Sequence, residues 1–191
     1  MIDPVIEASD IINSVDIAES SLDVLDSDCA TEREHEFGCR GKILAIGGES
    51  GSVQLIDLKG RSILNSVKLK AAVNVVRFFC LNLVLAGTES GALVMIRIPE
   101  MKIVGEIHDS ESSIQSIVCV KHGFLASKYD GAVVWYGVTI SGDQIQVDKD
   151  RIILTGSDVD PVYSMASDSD FIYTASRDGC IRKYDINEMF H

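Results

Sequence analysis

The chain has 191 residues, of which 46% are hydrophobic, so it is long enough to bury one substantial core. Its net charge is −12. The charge is uneven, because residues 1–36 hold eleven acidic residues and one base, whereas residues 37–191 hold 18 acidic and 16 basic residues. No basic patch or stripe is present, so a nucleic-acid partner is not expected.

The N-terminal region, residues 1–42, is predicted to be an acidic loop segment that contains one strand at 11–18. The stretch 19–36 has the composition of a solvated loop, with a basic partner as the alternative interpretation. No basic n-region precedes an apolar run here, so no signal peptide is expected. We therefore predict a cytoplasmic or nuclear protein, with residues 43–191 forming its folded repeats.

Four glycines mark a repeat in the remainder of the chain. They follow one another at spacings of 40, 40 and 48 residues, and each lies between an apolar run and an alternating strand. A repeat of roughly 40–45 residues built from short strands predicts an all-β, WD-repeat β-propeller. Glycine suits these hairpin turns because it adopts positive φ without steric cost. The four turn glycines are Gly51, Gly91, Gly131 and Gly179.

The strands around each glycine divide the chain into about four blade units, in a partial or open ring. Their predicted limits are 9–69, 70–107, 108–154 and 155–190, with outer strands at 62–69, 101–107 and 150–154 and none in the last unit. Five residues after each glycine, where WD repeats carry tryptophan, the chain has Ile56, Ile96, Tyr136 or Tyr184. The terminal units lack a neighbour on one side, so we expect them to expose apolar surface.

No arrangement of residues predicts catalysis, a cofactor or a metal site. The four histidines form no metal-binding pattern, and His108 is interpreted as a structural hydrogen-bonding residue. Asp158 and Asp160 fit a turn before Pro161 better than an acid–base pair. The five cysteines show no CxxC spacing, so free thiols are expected. The apolar stretch 71–87 is better explained by two buried strands than by a membrane span.

Several segments resemble the proteasomal ATPase-associated factor family, a group of WD-repeat proteins. The most specific is TGSDVDPVYSMA followed by IYTASRDGCIRKYDI, from Thr155 to Ile186. NVVRFFCLNLVLAGTESG and HGFLASKYDG resemble the preceding blades, and TEREHEFGCRGKILA extends the likeness upstream to Thr31. The family carries further repeats upstream, so the resemblance is to its C-terminal portion.

The resemblance implies a non-enzymatic protein-binding regulator of the proteasome. Its expected partners are ATPase subunits of the regulatory particle, with an effect on the assembly of that particle or on its union with the core particle. Small-molecule substrates, membranes and cofactors are not expected. The alternative is a generic WD-repeat scaffold in another multiprotein complex, such as a ubiquitin ligase.

Binding is expected at the rim of the propeller that carries the glycine turns and the loops entering the inner strands. Interfaces use a few aromatic and arginine anchors, so Tyr129 and Arg177 are the best candidates there. The predicted partner-binding residues are Glu49, Glu89, Tyr129 and Arg177 in the turns, and Glu111 and Asp160 before inner strands.

Overall fold

The computed structural model describes residues 6, 8, 10–19, 42–80, 82–120, 122–141, 144–148, 152–154 and 160–190. Within these residues the chain forms sixteen strands, arranged in four antiparallel sheets that follow one another in sequence, and one 3₁₀ turn at Glu188–Phe190. We call the four sheets blades 1 to 4. In the described part of the chain, no helix is long and apolar enough to cross a membrane.

Each blade is a set of hairpin-connected strands whose first member is the inner strand. Blade 1 consists of β1 (Ile12–Glu19), β2 (Lys42–Gly48), β3 (Ser52–Asp57) and β4 (Ser62–Lys68). Blade 2 consists of β5 (Val73–Cys80), β6 (Leu83–Thr88), β7 (Leu93–Arg97) and β8 (Lys102–Ile107). Blade 3 consists of β9 (Ile114–Val120), β10 (Gly123–Lys128), β11 (Val133–Ser141), β12 (Gln144–Val147) and β13 (Ile152–Leu154). Blade 4 consists of β14 (Val162–Ser167), β15 (Phe171–Ser176) and β16 (Ile181–Asp185).

This architecture confirms the predicted all-β, propeller-like fold of four blade units, including the three-stranded last unit. The strand predicted at 11–18 is β1, which pairs with β2 in blade 1. The division at residue 42 stays a prediction, because residues 20–41 lie outside the described residues. In blade 3 two strands replace the single outer strand expected at 150–154. The nine-residue β11 is long enough for β13 to pair with its first half and β12 with its second.

The hydrophobic core consists of three clusters, each lying between two neighbouring blades. Alternate side chains of a strand point to opposite faces, so every blade has a forward face toward the next blade and a rear face toward the preceding one. Between blades 1 and 2, for example, Val53 and Leu55 on β3 share a cluster with Val76 and Val84 of blade 2, and all four are fully buried. The other clusters join blade 2 to blade 3 and blade 3 to blade 4.

Side-chain hydrogen bonds also join the inner strands of successive blades and set their relative position. The Asn13 and Asn74 side-chain amides donate to the carbonyl oxygens of Val73 (3.2 Å) and Ile114 (3.1 Å) in the following blade. The Val76 amide likewise donates to Ser14 Oγ at 3.1 Å, and the same bond recurs between blades 3 and 4. Because these bonds join fixed positions of successive inner strands, they hold the blades in one register.

The two outermost faces of the series are exposed in part, as the sequence predicts, although Ile46 and Ile56 on the rear face of blade 1 are buried. On the rear face of blade 1, Val15 is 53% and Ile17 is 50% exposed. On the forward face of blade 4, Ile181 is 77% exposed. Their counterparts in the interior of the series are buried, so the exposure reflects the lack of a neighbouring blade among the described residues rather than the residue types.

The four turn glycines have φ between 79° and 91°, as predicted. At Gly51 an added Cβ would lie 2.6 Å from the carbonyl oxygen of Ala71, in the crossover to blade 2, and at Gly131 it would lie 2.8 Å from that of Asp160. At Gly179 an added Cβ would meet no atom within 4 Å. The repeat glycine is therefore needed for its backbone conformation in all four blades, and for close approach of the following chain in the first three.

A buried ion pair fixes the crossover between blades 2 and 3. Lys128 is 4% exposed and its Nζ lies 2.6 Å from Asp109 Oδ1, while Tyr136 donates its hydroxyl to Asp109 Oδ2 at 2.7 Å. Lys128 also donates to Ser110 Oγ at 3.0 Å. The structural hydrogen bonds that the sequence analysis assigned to His108 are therefore made by its neighbour Asp109. Tyr136, at the position where WD repeats carry tryptophan, donates one of them.

Among the described residues, Cys119 and Cys180 are free thiols, while Cys29 and Cys39 lie outside the described residues. Cys119 donates its thiol to the Phe78 carbonyl oxygen at 3.4 Å across the boundary between blades 2 and 3. Burial raises the pKa of this thiol to about 12, so it stays protonated and unreactive at neutral pH.

We predict that Gly51→Ala destabilises the chain more than Gly179→Ala. Both substitutions force a residue with a Cβ into positive φ, which costs roughly 1–2 kcal/mol. Only the first also drives a methyl group into the Ala71 carbonyl, which adds about 1–3 kcal/mol of overpacking. Urea unfolding of dilute protein measures the difference. An equal decrease in the free energy of unfolding for the two variants would contradict the proposed role of the turn glycine in the packing of one blade against the next.

We also predict that Asp109→Ala lowers the free energy of unfolding by about 3–5 kcal/mol, because it leaves the buried Lys128 ammonium without its counter-charge. Tyr136→Phe removes one hydrogen bond to the same carboxylate and is expected to cost about 1 kcal/mol. Denaturant titration of both variants checks the order. If Tyr136→Phe lowers the free energy of unfolding as much as Asp109→Ala does, the ion pair between Lys128 and Asp109 is not the main source of stability at this site.

Candidate functional site

The rim that carries the glycine turns is built by the same bonds in all four blades. In each turn the glycine amide donates to the carbonyl oxygen three residues earlier, at 2.9–3.2 Å. The residue two positions before the glycine then donates its amide to a carbonyl just before the inner strand, at 2.9–3.0 Å. This second bond fixes the residue against the segment that leads into the inner strand of its own blade. The four residues so placed are the predicted Glu49, Glu89, Tyr129 and Arg177.

Side chains that precede the inner strands stiffen two of these turns further. In blade 1 the Asp10 carboxylate accepts hydrogen bonds from Ser50 and from the Ser52 hydroxyl. These bonds, led by the one from the Ser50 hydroxyl, lower the pKa of Asp10. In blade 3 the equivalent residue, Ser112, accepts the Asp130 amide at 2.9 Å. The side chains at the rim thus project from a fixed backbone.

A groove of about 500 Å³ opens on the rim between blades 2 and 3. Three of the six predicted residues line it, namely Glu89, Glu111 and Tyr129. Glu89 and Tyr129 come from the turns of the two blades, and Glu111 comes from the crossover between them. The remaining lining residues are Asn74, Ser112, Ser113 and Gln115.

The floor of this groove consists of Asn74, Ser113 and Gln115, whose side chains are hydrogen-bonded to one another. Asn74 Nδ2 donates to Ser113 Oγ at 2.8 Å, and Gln115 Nε2 donates to the same oxygen at 2.9 Å. The floor is therefore fixed before any partner binds. The carboxyl side chains of Glu89 and Glu111 stand exposed above it and give the groove an acidic lining.

Tyr129 forms an exposed aromatic pair with Tyr163, the second residue of β14. The ring centroids are 6.5 Å apart, and the residues are 51% and 45% exposed. Sequence reasoning did not select Tyr163. Its place as the second residue of an inner strand was the signal that could have found it, because the equivalent residues Asn74 and Gln115 of blades 2 and 3 line the groove.

The other predicted residues lie on the same rim but do not line the groove. Glu49 is on the turn of blade 1, where its carboxylate accepts a hydrogen bond from Asn13 Nδ2 at 3.2 Å. Asp160 lies before β14, and its carbonyl oxygen accepts from Ser176 Oγ at 3.4 Å. Arg177 is exposed on the turn of blade 4, next to Asp178, whose pKa is lowered to about 2 by a hydrogen bond from Arg182.

The groove provides carboxylates, amides, hydroxyls and an aromatic face, which can bind a partner through ion pairs, hydrogen bonds and aromatic contact. Among the described residues, no group of three or more His, Cys, Asp or Glu side chains is arranged to hold a metal ion. An acidic groove beside tyrosine rings suits a lysine or arginine side chain, through ion pairing and cation–π contact.

In structure, the chain is similar to the computationally designed Ika4 protein, whose crystal structure superimposes with a TM-score of 0.68 at 15% sequence identity over 97% of this chain and 99% of that protein. This likeness concerns the fold alone. No model of a known protein family matches the chain.

In sequence, the chain is 32% identical over 158 residues to proteasomal ATPase-associated factor 1 of Bos taurus and of Homo sapiens, and 31% identical to that of Gallus gallus. The matches cover 82% of this chain and 38% of each relative. The chain therefore spans well under half the length of these relatives. Over that part it is similar to proteasomal ATPase-associated factor 1, which confirms the resemblance inferred from its sequence.

Proposed function

We propose that the chain is a non-enzymatic, protein-binding regulator of the proteasome that binds ATPase subunits of the regulatory particle. The observation that carries this proposal is the 32% identity, over 82% of the chain, to proteins named for association with proteasomal ATPases. Its proposed effect is on assembly of the regulatory particle or on its union with the core particle. The cytoplasm and the nucleus are the proposed locations.

The groove between blades 2 and 3 is the proposed contact. Its floor is ordered by hydrogen bonds, so little conformational entropy is lost when a partner binds there. Two exposed carboxylates and the Tyr129 ring, which pairs with Tyr163, give it both charge and apolar area, which favours a basic side chain of the ATPase as the inserted group.

We predict that Glu89→Lys combined with Glu111→Lys weakens binding to the ATPase subunits by more than about 1 kcal/mol, roughly fivefold or more in Kd. The reversal places two ammonium groups where a basic partner group is expected. The matched control is Glu100→Lys combined with Glu188→Lys, which changes the net charge equally at exposed positions away from the groove. Binding of purified ATPase subunits by calorimetry or interferometry measures both.

Equal weakening by the groove and control variants would show that only the overall charge matters and would reject the groove as the contact. If the unaltered chain captures no proteasomal ATPase, the proposed function itself is wrong. In that case the alternative of a scaffold in another complex, such as a ubiquitin ligase, is favoured. Mass spectrometry of proteins that co-purify with the tagged chain separates these two functions.

Arg177 allows an independent test at the turn of blade 4. Its side chain is exposed, and among the described residues it forms no ion pair that would give it a structural role. We predict that Arg177→Ala leaves the unfolding transition unchanged and weakens ATPase binding by about 1 kcal/mol or more. Lost stability with unchanged affinity per folded molecule would instead make Arg177 structural.

A further inference from the structure

A second groove opens at the other end of the boundary between blades 2 and 3. β7 and β11 both begin just after a glycine turn of the rim and run away from it, so Arg97 and Ser141 lie at the end opposite to the rim. Both residues line this groove, which has a volume of about 770 Å³ and lies between β8 of blade 2 and β12 of blade 3. We call it the basal groove, and we call the acidic groove of Glu89, Glu111 and Tyr129 the rim groove.

One wall of the basal groove is a hairpin added to the repeat in blade 3. The pairing of β11 with β10 ends at Gly137, and residues 138–141 of β11 pair with β12 instead. Ile140 and Ile145 of this hairpin pack against the same core cluster as Val104 of β8, so the wall is held against blade 2. Insertions into a repeat often lie on a binding face of the molecule. The hairpin therefore forms a groove that the repeat alone would not provide.

The opposite wall carries two cationic side chains at neighbouring positions. Arg97 and Lys102 are directly opposite each other across β7 and β8, and both line the basal groove. Like charges at directly opposite positions of a sheet repel, so this pair costs the free chain stability. Among the described residues no acidic side chain lines the basal groove, and Glu100, in the turn that joins the two strands, is exposed outside it. A bound carboxylate would relieve the repulsion, so the basal groove is complementary to acidic groups.

The position of the basal groove between two strand edges favours an extended chain as its ligand. Within the described part of the chain β8 pairs only with β7, and β12 pairs only with β11, so each has an open edge. An open edge presents backbone N–H and C=O groups to which an extended peptide can add as a further strand. Ile103, which is 43% exposed, offers apolar contact, and the amides of Gln144 and Gln146 can hydrogen-bond to a peptide backbone. Single-stranded nucleic acid is less suited, because no aromatic ring of the described residues lines the groove for bases to stack on.

From these features we infer that the basal groove binds an extended, acidic peptide segment of a partner protein. The carboxylates of the segment pair with Arg97 and Lys102, its backbone lies along the strand edges, and an apolar side chain contacts Ile103. The two grooves at the ends of one blade boundary thus select opposite charges, a basic group at the rim and acidic groups at the base. The inference rests on blades 2 and 3 alone and is independent of the proposed proteasomal function.

The test is the selection of short random peptides, displayed on phage, against the immobilised full chain. Besides any basic peptides that the rim groove selects, we expect peptides in which Asp or Glu alternates with apolar residues. Fluorescence anisotropy of the synthesised acidic peptides then gives their Kd, which Lys102→Glu is expected to raise by about tenfold or more. The matched control is Lys68→Glu, an equal charge change at an exposed position of β4 in blade 1, which should leave the Kd within about twofold.

The stability of Lys102→Glu separates lost binding from lost folding. Lys102 is exposed, and glutamate there would face Arg97 with the opposite charge, so the midpoint of urea unfolding is expected to stay equal or rise. Acidic peptides that bind this variant as tightly as the unaltered chain would overturn the inference, as would a selection that yields no acidic peptides. If a short random-sequence RNA binds instead, and Lys102→Glu abolishes its binding, the inference is overturned in favour of nucleic acid.

Discussion

Contact between successive blades is the interaction on which the rest of the structure depends. No sheet here covers its own apolar face, and all three core clusters consist of residues from two neighbouring blades. The turn glycine is part of the same contact, because the crossover to the next blade lies against it where a Cβ would stand. A change at a turn glycine therefore acts on the junction between two blades as much as on its own hairpin.

The same contact creates the groove. The crossover from blade 2 to blade 3 must pass under the turn of blade 2, held by the buried pair of Lys128 and Asp109, before it enters β9. This path brings Glu111 beside Glu89 and sets Ser113 under the amides of Asn74 and Gln115. The proposed binding surface is thus a direct consequence of how the blades are joined, and its acidity comes from two residues that contribute nothing to the core.

The sequence predicted the fold well because the glycine register and the strand alternation are local signals. Each blade is a set of hairpins between neighbouring segments, so the order of the four units and the three strands of blade 4 could be predicted along the chain. The groove could be predicted only in part. Which of the six rim residues converge depends on blade-to-blade geometry, and the tertiary contacts of Tyr163, Lys128 and Asp109 have no local signature. The second outer strand of blade 3 was missed because it depends on the length of β11.

The central claim, that the rim over blades 2 and 3 contacts a proteasomal ATPase, is tested most directly by site-specific photo-cross-linking. A photoreactive phenylalanine analogue replaces Tyr129 in one protein and Ile63, an exposed residue of the outer strand β4, in another. Each is irradiated with purified ATPase subunits of the regulatory particle. The account predicts cross-links to an ATPase subunit from position 129 and not from position 63. Cross-links from position 63 alone would contradict it, because they would place the contact on the outer edge of the blades.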